Sequence, residues 1–189
     1  MSVDRQLFSS DPSWAAFRRL LLAHDGSTTR LCEAVALQPM KVLLHYQERI
    51  TEAPAEVRKH LGGSHWLSRV SSLCTSEGKV LMDNLSLTRL DKVPDWFLRK
   101  LDEGQAPIGH MLQQIFVRRE FVETTPLLQS WLWSRVGLPD PDTSRGYRIV
   151  TPDGPLMLIF EVFRAAIQGQ LTGPALQNST MCSSPLRLK

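Results

Sequence analysis

The sequence predicts an α+β fold: a six-stranded antiparallel sheet with helices packed on one face. Two observations lead there. First, β-rich runs come in pairs joined by tight turns. Trp66 to Cys74 meets Val80 to Arg89 around Ser76-Glu77-Gly78, and Gly146 to Thr151 meets Pro155 to Phe163 around Pro152-Asp153-Gly154. Second, the helical stretches between strands are short and irregular, unlike the evenly spaced crossovers of a βαβ series.

Taken in order, Asp11-Pro12 supplies a cap and a first-turn proline. Trp14, Phe17, Leu20 and Leu21 then recur at helical spacing up to His24. Asp25-Gly26-Ser27 breaks that helix, and Thr28 and Thr29 can cap a second one carrying Leu31, Ala34 and Val35, ended by Pro39. Lys41 to Ile50 alternates, with Val42, Leu44, Tyr46 and Ile50 on one face of a half-buried strand. Pro54 to Leu61 is a short helix stopped by Gly62-Gly63. After the first hairpin, Pro94 opens a helix that ends at Gly104, Pro107 starts a brief helical turn, and Gln114 to Val122 returns as a strand. Thr125-Pro126 opens a last helix, closed by Gly137, before the second hairpin. Residues 1–167 form a single domain; the Gly-, Pro- and Ser-rich tail 168–189 is expected to be poorly ordered.

Composition narrows the function. A hydrophobic share of 42% with 22% charged residues is that of an ordinary globular domain, and a net charge of +3 without basic runs gives no nucleic-acid stripe. No apolar run is long enough to span a membrane and no secretory leader is visible, so a cytoplasmic protein is expected. Three cysteines without C-x-x-C spacing argue against a disulfide framework, and the five histidines lack metal-ligand spacing. No phosphate-binding glycine loop or serine-hydrolase elbow occurs.

The residues that invite chemistry are polar groups on apolar strand faces. Glu161 shares a face with Met157, Ile159 and Phe163, where a carboxylate needs a partner, a raised pKa or an exit to water at the strand end. Arg69 shares a face with Leu67, Ser71 and Leu73; its fork either grips a ligand carboxylate or pairs with Glu161 or Asp83. Pro107 at a helix start leaves the amides of Ile108, Gly109 and His110 unpaired, and Gly109 lets an anion approach closely. Arg119 either adds positive potential to the same cavity or snorkels at a strand end.

Trp66-Leu67-Ser68-Arg69, Pro107-Ile108-Gly109, Phe116 to Phe121, and Arg148-Ile149-Val150 followed by Pro155 to Glu161 occur in the order found in chorismate pyruvate-lyases. Over Trp14 to Phe163 the chain resembles that family, and Leu20 to Leu31 is similar to its actinobacterial branch. The resemblance implies conversion of chorismate to 4-hydroxybenzoate and pyruvate, with no metal and no organic cofactor. It also implies that Arg69 holds the ring carboxylate, helped by the Ile108 amide and the backbone near Ser27, while Glu161 faces the ring hydroxyl. Some members carry arginine where this chain has Asn84, so the resemblance does not carry over a second carboxylate anchor; Arg89 and Arg119 are the candidates for it. A monomer without nucleic-acid or membrane partners is expected. The alternatives are a non-catalytic sensor for a small carboxylate and a related lyase or isomerase acting on another cyclic acid.

Overall fold

The computed structural model describes residues 12–104, 106–123, 126–136 and 143–171. Helices α1 (Pro12–Ala23) and α2 (Thr28–Ala36) lead into strand β1 (Lys41–Ile50), followed by α3 (Ala55–Leu61), β2 (Trp66–Cys74) and β3 (Val80–Arg89). Then come α4 (Asp95–Asp102), α5 (Ile108–Leu112), β4 (Arg118–Val122), α6 (Pro126–Val136), β5 (Ser144–Thr151), β6 (Gly154–Phe163) and α7 (Ala166–Leu171). The six strands form one sheet in the order β1-β2-β3-β6-β5-β4, and every neighbouring pair is antiparallel. The predicted α+β architecture is therefore observed.

Alternation sorts β2, β3, β5 and β6 into two faces, both covered. On the front, α1, α2 and α7 cover Leu73, Leu81, Met82 and Phe163, while α4 and α5 cover Leu67, Ile149, Met157 and Ile159. On the back, Val57 and Leu61 of α3 and Trp131 of α6 pack on Val70, Leu85, Leu158 and Phe160. Most helices thus share one face as expected, with α3 and α6 closing the other. No described helix is long and apolar enough to cross a membrane.

Three local expectations need correction. The cap of α2 is Ser27, whose hydroxyl accepts from the Arg30 amide at 3.4 Å; Thr28 and Thr29 lie inside the helix and are buried. In β1, a bulge at His45 splits the proposed stripe. Val42 stays with the front cluster, whereas Tyr46 and Ile50 pack against the back. Strand β4 is only Arg118–Val122, because Gln114 and Ile115 still bond back into the turn after α5. Helix α7 continues through Gln168 to Leu171, with Ile167 fully buried. The remaining tail and the caps at Asp11 and Gly137 lie outside the described residues.

A cavity at the seam of two front-face clusters

The two front-face clusters do not merge. Between them lies a narrow void of about 30 Å³, bounded by Thr28 and Thr29 of α2, Pro107 to Gly109 at the start of α5, and a floor of β2, β3, β5 and β6 side chains. Space of this size is less than an aromatic ring occupies. A larger hollow of about 470 Å³ lies between α3 and β4 on the back, but it is an open groove edged by charges of both signs, including the Glu120–Arg148 pair. The front cavity is the better site because its charged groups, Arg69 and Glu161, are buried and converge on it.

Arg69 rises from the β2 floor and is 1% exposed. It pairs with neither Glu161 nor Asp83. Its terminal nitrogens donate to Gln47 Oε1 at 3.2 Å, Leu101 O at 3.0 Å and Gly104 O at 2.9 Å, and Nε is buried without a partner. Two backbone carbonyls and an amide fix the fork but leave its charge uncompensated by any carboxylate. Burial pulls its pKa down to about 10, still protonated at neutral pH.

Glu161 does not bend out to water: it is 2% exposed on β6. Its Oε2 accepts from Arg145 Nε at 2.8 Å and its Oε1 from the Tyr147 hydroxyl at 2.7 Å. Burial, and then the carboxylate beside it, push the Tyr147 phenol far above its ordinary range, so it stays a donor. Arg145 also donates to Leu21 O at 2.7 Å, to Leu22 O at 3.5 Å, to His24 O, and to Thr28 Oγ1 at 2.9 Å. One guanidinium therefore ties the acid to the α1–α2 wall of the cavity. Asp83 is occupied on the back face by Ser72 and Arg164.

Of the six residues singled out from sequence, five line this cavity: Arg69, Ile108, Gly109, Arg119 and Glu161. Ser27 lies beside the lining, at the contact of α2 with α5: a methyl group on Gly109 would sit 2.8 Å from its hydroxyl and 2.5 Å from Thr29 Oγ1. The His110 amide bonds back to Pro107 O at 3.1 Å, which removes one of three expected donors. Arg119 is half-buried; it lies over the Tyr147 ring at 5.8 Å and donates to Asp25 O at 3.0 Å. Arg145 and Tyr147 were missed. The signal available for them was strand alternation: both fall on the inward face of β5, and Arg145 is registered opposite Glu161. Among the described residues no cluster of acids, histidines and cysteines could hold a metal ion.

The family model described as "Chorismate pyruvate-lyase Rv2949c-like" matches residues 22–171, a span that contains every wall of the cavity. The chain belongs to that family. No curated protein matches the sequence. Among solved structures, PhnF from Mycobacterium smegmatis is 14% identical with a TM-score of 0.49, the match covering 75% of this chain and 65% of PhnF. This chain thus spans just under two thirds of PhnF. A GntR-family transcriptional regulator from Bacillus cereus is 9% identical with a TM-score of 0.42, over 66% of this chain and 90% of that one. Likenesses this remote do not bear on what a member of the Rv2949c-like lyase family binds.

Proposed function

We propose that the protein is a chorismate pyruvate-lyase that releases 4-hydroxybenzoate and pyruvate. The observation that carries this reading is a cavity lined by a carboxylate-free guanidinium, Arg69, on one strand and an acid, Glu161, two strands away. Two strand spacings are about 10 Å. A para-substituted benzoate laid across that floor directs its carboxylate to Arg69 and its hydroxyl to Glu161. The Ile108 amide adds a second donor at the carboxylate end, and β3, between the two, contributes Asn84 to the floor.

The chemistry needs little from the protein. Removing the ring proton on the carbon that bears the hydroxyl and breaking the neighbouring ether bond leaves an aromatic ring. The electron pair of the lost C–H bond becomes ring unsaturation, and the departing enolpyruvate takes a proton to become pyruvate. Orientation of a bound reactant is worth roughly 7 to 11 kcal/mol in favourable cases. Arg69 and the Ile108 amide would clamp the ring. Glu161, held by Arg145 and Tyr147, would accept from the ring hydroxyl and place negative charge beside the carbon that loses its proton. The enclosing walls favour slow release of the planar product.

The test is incubation of purified protein with chorismate, following 4-hydroxybenzoate by absorbance and mass and pyruvate enzymatically. Equimolar products are expected. Tight binding of hydroxybenzoates without turnover would instead identify a sensor, and a different product would identify a related lyase or isomerase.

A further inference from the structure

We infer that Asn84 gives the cavity a second hydrogen-bond acceptor beside Glu161, so that the site takes a ring amine opposite the carboxylate as well as a ring hydroxyl. This rests on the lyase reading of the same cavity, which puts the ring carboxylate at Arg69, and widens the class of ring held there.

A count of donors and acceptors leads to it. Asn84 lies on β3, lines the cavity and is 8% exposed. Its Oδ1 is buried and has no hydrogen-bond partner among the described residues. In the sheet its partners are Ser71 on β2 and Glu161 on β6, both on the same face. An ionised glutamate only accepts, so Glu161 cannot satisfy the amide oxygen. The two donors that meet Glu161, Arg145 Nε and the Tyr147 hydroxyl, are both spent on its carboxylate. A buried acceptor left unpaired is costly, and a valine at the same strand position would avoid that cost. The free acceptor is therefore assigned to a donor carried by the ligand.

The spacing suits nitrogen better than oxygen. A ring hydroxyl has one proton to give, and Glu161 takes it; an amino group has two. Paired residues on one face of an antiparallel sheet have Cβ atoms about 4.5–5.5 Å apart. A nitrogen that donates at about 2.9 Å to each of two acceptors spans about 5 Å between them. Asn84 and Glu161, registered directly opposite one another, offer that span. The charge balance agrees: Glu161 is already neutralised by Arg145 and Asn84 carries no charge, so an uncharged aromatic amine meets neither an unpaired anion nor a cation there.

The experiment is calorimetric binding of 4-aminobenzoate and 4-hydroxybenzoate to wild type, Asn84→Val and Asn84→Thr. Wild type is expected to bind the two probes within about tenfold of each other. Asn84→Val removes the acceptor and should weaken 4-aminobenzoate at least about fivefold and 4-hydroxybenzoate less than about twofold. Asn84→Thr has the shape of valine with an acceptor oxygen restored, so it should recover part of the loss, and it keeps the comparison available if the valine variant folds poorly. A loss for 4-aminobenzoate no larger than that for 4-hydroxybenzoate would overturn the assignment. So would a wild type that binds 4-aminobenzoate more than about tenfold more weakly than 4-hydroxybenzoate, or binds neither. Turnover of chorismate is scored separately: the probe split without turnover sinks the lyase reading alone, and turnover without the split sinks the Asn84 assignment alone.

Discussion

Arg145 and Glu161 face each other across β5 and β6, joined by a 2.8 Å ion pair in which both side chains are almost wholly buried. The pair is compensated on every side, since the carboxylate also accepts from Tyr147 and the guanidinium also meets carbonyls of the α1–α2 wall. Removing one partner strands the other charge. Arg145→Leu is therefore expected to cost about 3–5 kcal/mol in urea unfolding, and the Arg145→Leu/Glu161→Leu double variant much less. Glu161→Gln keeps an acceptor for Tyr147 but leaves Arg145 unbalanced, so it should lower stability as well as turnover. Near-wild-type unfolding of Arg145→Leu would show that the pair is not buried in solution.

Arg69 has no carboxylate partner of its own, so the ligand should supply one. Arg69→Ala is expected to weaken 4-hydroxybenzoate by about 2–5 kcal/mol, at least about thirtyfold in Kd by calorimetry. An unchanged Kd would place the ligand elsewhere.

Gly109 lets α5 lie directly against α2. A Cβ there would stand 2.5 Å from Thr29 Oγ1, 2.8 Å from Ser27 Oγ and 3.0 Å from Thr29 Cβ. Helix propensity favours alanine, but this contact should dominate: Gly109→Ala is expected to lose about 1–3 kcal/mol of stability and to weaken 4-hydroxybenzoate. A gain in thermal stability with unchanged binding would mean the seam is looser than described.

Cys32 is fully buried, and burial, followed by the nearby Glu161 charge, raises its thiol from 9.0 to about 12. The unfolded thiol gives up its proton first, so this group's contribution to stability falls as pH rises from about 9 toward 12. In a Cys182→Ser background, with Cys74 also buried, the folded protein should react with a thiol reagent only as fast as it unfolds. Rapid labelling under native conditions would contradict this.

Much of this was legible in the chain. The pairing of β2 with β3 follows from two β-rich runs around one glycine turn, and alternation alone put Arg69 and Glu161 on inward faces. What could not be read were departures from period two. The bulge at His45 turns Tyr46 and Ile50 to the back of the sheet. A second irregularity, between Ile149 and Val150, shifts the last hairpin by one residue and is what sets Arg145 against Glu161. Counting back evenly from Pro152-Asp153 would have paired Arg145 with Phe160 instead. Tertiary contacts decided the rest: α7 has a weak local signal, yet Ile167 is buried with the α1 and α2 side chains.

The most direct measurement is a crystal structure of the protein with 4-hydroxybenzoate bound. The carboxylate should lie on the Arg69 fork near the Ile108 amide, and the hydroxyl should meet Glu161 beside Tyr147. A ligand bound the other way round, or seated in the open groove between α3 and β4, would contradict the site proposed for this chain.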